Sequence, residues 1–211
     1  MITTTVEWSQ LNRWDFKFAR IIDFNKRHPD YLFMSDIAEE AHELVDPREA
    51  PDKDWPVYGV SNRDGVFLNE MRRGTNFNQK QKKIRKDWFF HNPTRANVGS
   101  IGRVHDVPGD AITSPEYQVW RIKADSIYNA DLIEIFIQTR MFMDQVQFHR
   151  VGAVKERLYV ENLLSIRVPI IPEDVRNELV TKIHAAKTRV EVAKKNLHDE
   201  KVVASTAFDK A

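Results

Sequence analysis

The C-terminal segment carries an apolar repeat that strongly constrains what this chain can fold into. Behind Pro172-Glu173-Asp174, apolar residues recur at intervals of 4, 3, 4, 3 and 4. They are Leu179, Ile183, Ala186, Val190, Ala193 and Leu197. This heptad spacing is typical of a coiled-coil seam, and it predicts a long helix over residues 173–211 with a helical partner.

The partner helix is not the sole interpretation of this repeat. A helix packed on its own domain is the alternative, although such a helix usually shows a wider apolar face. Glu200 falls on the next expected seam position, so we expect the seam to fray there. A helix over residues 174–204 would be roughly 45 Å long at 1.5 Å per residue.

Residues 1–172 mix helical and strand periodicity, which indicates a single domain of the α+β class. Residues 1–56 are expected to be helical, with one amphipathic stretch at 34–45. Residues 57–60 and 66–68 flank a turn signal and predict a hairpin. Further expected elements are strands at 112–113, 117–122 and 165–171, the last at a sheet edge because of Pro169, and a helix at 131–148.

Charge is distributed unevenly along the chain, although its formal net value is only +1. Residues 1–70 hold eight Lys/Arg and fourteen Asp/Glu, whereas residues 71–110 hold nine and three. Seven of those nine cations lie in residues 72–86, a basic segment of fifteen residues that contains no acid. A concentrated positive charge of this kind favours a polyanionic partner.

The basic segment is the first candidate for binding DNA, because lysine and arginine bind phosphates while amides and arginine read base edges. Amide side chains are interleaved with its cations. The candidate DNA-binding residues here are Arg72, Arg73, Asn76, Asn78, Gln79, Lys80, Lys82 and Lys83. A charged, solvated loop that binds no ligand is the alternative.

A second candidate is the glycine-bearing stretch at residues 95–103, which adds Arg95, Asn97 and Ser100 to the expected DNA contacts. Its glycines would allow backbone amides to approach phosphate oxygens, as in an anion-binding nest. No Lys-Ser or Lys-Thr follows a spaced glycine pair, so a nucleotide-binding P-loop is not supported. A plain glycine-bearing hairpin is the alternative.

Motifs for catalysis are weak. The chain has no cysteine, which excludes disulfides, thiolate zinc sites and a cysteine nucleophile. Asn92-Pro93-Thr94-Arg95 lacks the second proline and the aromatic residue of the adenine-methyltransferase loop. The histidines show no metal-ligand spacing, and no serine elbow occurs. We therefore expect no catalytic residue, no metal and no cofactor on this chain, and a protein that is not an enzyme.

Targeting signals are also missing from the sequence. The longest apolar stretch, residues 132–137, is interrupted by Glu134, and the first twenty residues contain acids and tryptophans. Neither a membrane helix nor a signal peptide is expected, so we expect a cytoplasmic protein.

From residue 57 onward, the order of motifs resembles a specificity subunit of a type I restriction-modification system. Five motifs carry the resemblance over about 150 residues, all in the family's order. They are Tyr58-Gly59-Val60-Ser61 with Asp64-Gly65; Val98-Gly99-Ser100-Ile101-Gly102; Ile112-Thr113-Ser114-Pro115-Glu116-Tyr117; Gly152-Ala153-Val154 with Leu158; and Leu163-Leu164-Ser165-Ile166 followed by Val168-Pro169-Ile170-Ile171-Pro172.

The resemblance implies a mixed α/β target-recognition domain at residues 1–172 and a long coiled-coil-type helix at 173–211 for dimerisation, spacing and partner docking. Members of this family bind half of a bipartite duplex DNA site with each recognition domain. They direct a partner subunit that methylates adenine at N6 with its own bound S-adenosylmethionine, and a restriction subunit is a further partner.

Members of the family usually carry two recognition domains and two helices, whereas this sequence has one of each. It is therefore expected to be a half-subunit that forms a homodimer through its helix, or a piece of a longer system. Two other classes of function stay open. One is a self-contained DNA nuclease or methyltransferase, and the other is an assembly protein that binds no DNA.

Overall fold

The structure is a computed structural model that describes residues 30–209, apart from the side chains of residues 207 and 209. Residues 1–29 of the part expected to be helical, 1–56, lie outside the described residues. The chain divides into two units between Ile170 and Ile171. The second unit consists mainly of one helix.

A five-stranded sheet contains the hairpin expected from the sequence. Its long strands are β4, Asp54–Ser61, and β5, Gly65–Arg73, which pair antiparallel with an irregularity between Val57 and Tyr58. The strand order is β3-β6-β9-β4-β5, and only β4 and β9 run parallel. The shorter strands are β3, Leu44–Val45, β6, Gln81–Lys83, and β9, Ile112–Thr113.

A four-stranded antiparallel sheet, in the order β2-β10-β7-β8, forms the other main layer. Phe89 and Trp120 stack on neighbouring strands with ring centroids 4.4 Å apart, and both are fully buried. Phe90 and Val119, also paired, join a separate cluster with Val60 of the first sheet. The strands are β2, Ala38–Glu40, β7, Phe89–His91, β8, Ile101–Arg103, and β10, Gln118–Ile122.

The helices of the first unit are short. Two of these helices are separated at Thr139. Its hydroxyl accepts a hydrogen bond from Phe142 N at 3.1 Å and caps the N-terminus of the second helix. The single helix expected over residues 131–148 is therefore two helices. The helices are α1, Met34–Ile37, α2, Ala130–Phe136, α3, Arg140–His149, and α4, Val160–Leu163.

The prediction of a helix over residues 34–45 is wrong. Only Met34–Ile37 is helical, and β2 and β3 occupy most of the rest. Met34, Ile37, Ala38 and Ala41 are buried, whereas Leu44 is exposed. However, the backbone of Ala38–Glu40 pairs with β10, and this tertiary pairing overrides the local helical preference.

Two further elements complete the described chain. Strands β1, Tyr31–Phe33, and β11, Arg167–Pro169, form a two-stranded antiparallel sheet, so the edge position expected from Pro169 is confirmed. The second unit is dominated by α5, Glu173–Asp209, a helix of 37 residues and about 55 Å. The α+β class with a long C-terminal helix is confirmed.

Candidate nucleic-acid interface

The most exposed part of the basic segment is the connection between β5 and β6, which we call the amide loop (residues 74–80). Gly74 and Phe77 anchor it, because both are buried while the residues around them are exposed. A Cβ on Gly74 would lie 2.2 Å from Ala50 O, so no larger residue fits there without displacing the backbone. Phe77 packs against Trp55 and Ile112. The loop is therefore fixed on the sheet.

The amide loop displays polar side chains that can donate and accept hydrogen bonds. Its exposed residues are Thr75, Asn76, Asn78, Gln79 and Lys80. The amides suit the donor and acceptor pattern of adenine in the major groove, and Lys80 supplies a cation for phosphate. All four exposed candidates that sequence reasoning placed here, at positions 76, 78, 79 and 80, come together on this loop.

The segment at residues 48–53 is hydrogen-bonded to the amide loop. Gly74 N donates to Lys53 O at 2.9 Å, and Thr75 N donates to Pro51 O at 3.1 Å. Arg48 Nη1 donates to Asn78 O at 3.3 Å. Arg48 also binds Asp46, and these hydrogen bonds hold the pKa of that carboxyl down at about 2. Sequence reasoning missed Arg48, although Asp46-Pro47-Arg48 is a recognisable capped turn.

Much of the positive charge of the basic segment is matched by nearby acids. Arg72 pairs with Glu70, and Arg73 pairs with Asp52 at 2.6 Å. Beyond the loop, Arg85 pairs with Glu43 at 2.5 Å and Lys86 with Asp106 at 3.2 Å. These surface pairs are weak and exchangeable, so the guanidiniums remain able to bind phosphate. The local field is nevertheless smaller than the sequence count indicates.

Two lysines of the basic segment are less accessible than expected. Lys82 Nζ donates to Tyr117 O at 2.8 Å, and burial lowers the pKa of its ammonium group. Lys83 is half-buried on the same strand, where its backbone N–H donates to Glu43 O. The structure therefore separates these two residues from the exposed set on the amide loop.

The glycine-bearing stretch differs from its expectation as an anion-binding nest. The N–H groups of Val98, Gly99, Ser100 and Ile101 all donate to carbonyls of the same stretch, between 2.8 and 3.2 Å. They are therefore committed to holding the turn, and the nest interpretation is wrong. Gly99 is required for the turn, since its φ is +85°.

The three DNA contacts expected from this stretch lie in different environments. Arg95 is exposed, and Asn97 is half-buried with its carbonyl accepting from Gln147 Nε2 at 3.3 Å. Ser100 is only 3% exposed, so its side chain is not part of the surface in this structure.

The seam residues of α5 are largely uncovered within their own unit. Leu179, Val190 and Leu197 are exposed, whereas Ile183 and Ala186 are half-buried. The pairing of this seam with another helix stays a prediction. Ala204 and Phe208 extend the same face by further helical spacings, and Phe208 is highly exposed.

Within residues 30–209, His, Asp and Glu side chains do not gather into groups of three or more that could ligate a metal. None of the helices described is both long enough and apolar enough to cross a membrane.

The fold of this chain is similar to that of solved structures. The crystal structure of the HsdS subunit from Thermoanaerobacter tengcongensis matches with a TM-score of 0.60 at 15% sequence identity. The match covers 79% of this chain and 44% of that one. The fold is that of part of an HsdS subunit. This confirms the fold that the sequence resemblance to type I specificity subunits implied.

A second solved structure agrees. It describes complex assembly and conformational transition of the type I restriction-modification system, and it matches with a TM-score of 0.58 at 15% identity. This match also covers 79% of the present chain and 44% of the other. The chain thus spans less than half the length of each of these two chains. No family model and no curated protein sequence matches it.

Proposed function

We propose that this chain binds duplex DNA in a sequence-specific manner, as the specificity component of a type I restriction-modification complex. The observation that carries the proposal is the anchored, acid-free amide loop on a domain with the HsdS fold. A loop that is fixed before binding loses little entropy on contact, and its amides offer the hydrogen bonds that distinguish bases.

In this proposal the contacts divide into two kinds. Asn76, Asn78 and Gln79 contact base edges, while Lys80 and Arg73 bind phosphates. Arg73 exchanges its surface partner Asp52 for a phosphate, which is favourable because each phosphate contact releases a condensed counterion. Arg48 acts as a positioning residue, since it holds the backbone of Asn78.

The chemistry of the complex would belong to other subunits. The chain directs a partner adenine methyltransferase to its site, with S-adenosylmethionine bound by that partner, and a restriction subunit is a further candidate. The exposed seam of α5 supports helical pairing, and we propose a homodimer that reads a symmetric bipartite site. The half-site spacing would then depend on helix length.

Fluorescence anisotropy with a labelled duplex at several salt concentrations tests the phosphate contacts. Lys80→Gln should weaken binding to every sequence and reduce the slope of log K against log salt by about 1. The matched control is Arg63→Gln, an exposed cation in the turn at the opposite end of the β4–β5 hairpin. Equal affinities for Lys80→Gln and wild type would contradict the role of the amide loop.

A further inference from the structure

A short loop on the first unit has a defined conformation but contributes little to the core. After α3 ends at His149, the chain forms a two-way bridge between Val151 and Arg157. Val151 N donates to Arg157 O at 2.9 Å, and Arg157 N donates to Val151 O at 2.8 Å. We call residues 151–157 the bridged loop.

Two residues fix the interior of the bridged loop. Gly152 has a φ of +125°, and a Cβ there would lie 2.7 Å from Lys155 O, so glycine is required. Arg150, which is mostly buried, donates from Nη2 to Glu156 O at 3.0 Å and pairs through Nη1 with the Glu156 carboxylate at 3.3 Å. Glu156, the single acid of the loop, is thus ion-paired with Arg150.

The residue that follows the bridged loop is buried and hydrogen-bonded to the four-stranded sheet and its turn. Leu158 is fully buried, and its N–H donates to Pro93 O at 2.9 Å. Its carbonyl accepts a hydrogen bond from His91 Nε2 at 2.9 Å. Because Pro93 belongs to the turn that ends at Arg95, the bridged loop and Arg95 belong to one local framework.

The framework presents cations and an apolar tip to solvent. Arg95, Lys155 and Arg157 are exposed, and Val154 at the tip is fully exposed. The Val154 side chain is not buried in the isolated chain and so adds no hydrophobic stabilisation to the fold. The cations around it favour an anionic partner.

Residues 117 and 118 are hydrogen-bonded both to the strand that follows the amide loop and to the chain that follows the bridged loop. Lys82 Nζ, on β6, donates to Tyr117 O at 2.8 Å. Val160 N, three residues beyond the bridged loop, donates to Gln118 Oε1 at 3.2 Å. This segment therefore links the supports of the two surfaces.

We propose that the bridged loop, together with Arg95, is a second DNA-contacting element that binds the phosphodiester backbone. This inference rests on the proposed function and assigns the phosphate contacts outside the amide loop. Lys155 and Arg157 bind phosphates, and Val154 contacts the sugar edge. The element increases affinity for all sequences and leaves the choice of sequence to the amide loop.

The test is a salt titration of full-length protein against a labelled duplex of random sequence, followed by anisotropy. Lys155→Gln with Arg157→Gln should reduce the slope of log K against log salt by about 1 to 2 and lower affinity about tenfold. Preference for a selected site over its scrambled version should not change. The control, Arg63→Gln with Arg140→Gln, removes the same charge from exposed positions elsewhere in the unit.

A charge-neutral variant tests the geometry. Gly152→Ala leaves the cations in place but cannot keep the loop conformation, so affinity should fall several-fold while circular dichroism shows an intact fold. Wild-type affinity in the Lys155/Arg157 variant, or an equal loss in the control variant, would overturn this inference alone. Absence of duplex binding by the wild-type protein would overturn the proposed function as well.

Discussion

At the scale of single residues, His91 shows how the core is coupled to pH. It lies at the end of β7 and is fully buried; its Nε2–H donates to Leu158 O, while Nδ1 has no hydrogen-bond partner in the part of the chain described. Burial lowers the pKa of His91 to about 4, despite the opposing effect of that hydrogen bond. The neutral imidazole is therefore the folded form.

His91 should make the fold less stable as the pH falls from 6.5 toward 4. Because the folded pKa lies below the unfolded value, the unfolded state takes up the proton first, and the loss stops growing below pH 4. On the order of 2 kcal/mol should be lost by pH 5. Urea unfolding at pH 8 and pH 5 measures this loss.

The variant His91→Gln isolates that contribution, since its amide can still donate to Leu158 O but does not titrate. Carboxylate effects are common to both proteins, so the difference between their pH dependences reports on His91. Parallel pH dependences of wild type and variant would contradict the assigned role.

At the scale of elements, one guanidinium joins the four-stranded sheet to a helix. Arg103 on β8 is 10% exposed and binds Asp131 and Glu134 of α2 at 2.6 and 3.1 Å, and Asp87 at 2.5 Å. Burial opposes its charge, but the hydrogen bonds to Asp131 and Asp87 outweigh this effect and raise its pKa. Removal of Arg103 would leave these carboxylates without their shared cation.

Arg103→Ala should therefore destabilise the fold by about 3–5 kcal/mol, the range typical when one partner of a buried ion pair is removed. The matched control is Arg121→Ala, which breaks the half-exposed pair with Glu39 at 2.8 Å and should cost less than about 1 kcal/mol. Denaturant unfolding of both variants measures the difference. Similar losses would show that Arg103 does not connect sheet and helix as described.

Elements with strong local signals could be predicted from the sequence. The β4–β5 hairpin and α5 form where turn chemistry and heptad spacing placed them. The stretch at residues 34–45 could not be predicted, because its conformation depends on pairing with β10, some eighty residues away. The break at Thr139 depends on a cap that competes with a continuous apolar pattern.

The candidate site was predictable in composition but not in geometry. The amides at positions 76, 78 and 79 could be read from the sequence, whereas their exposure and the burial of Ser100 depend on how the loops pack. The neutralisation of the basic segment could not be read from the sequence either, since Arg73 pairs with Asp52, 21 residues away, and Arg85 with Glu43, 42 residues away. Ion pairs between distant segments cannot be read from a count of charges.

At the scale of the whole molecule, the seam of α5 should determine the oligomeric state. Val190 and Val192 are exposed to nearly the same extent, 52% and 55%, but lie about 200° apart around the helix. Val190→Asp should convert a dimer to a monomer, because it places a charge in the seam, whereas Val192→Asp should not. Light scattering measures the mass, and a wild-type monomer or equal effects of both substitutions would contradict the pairing.

The central claim is that this chain selects DNA by sequence, and selection from a randomised duplex library tests it most directly. Wild-type protein should enrich a defined motif at physiological salt, whereas Asn76→Ala with Gln79→Ala should bind with little preference among sequences. The control, Asn69→Ala with Gln138→Ala, removes two exposed amides elsewhere and should enrich the wild-type motif. A library that emerges unenriched from wild-type protein would contradict the account.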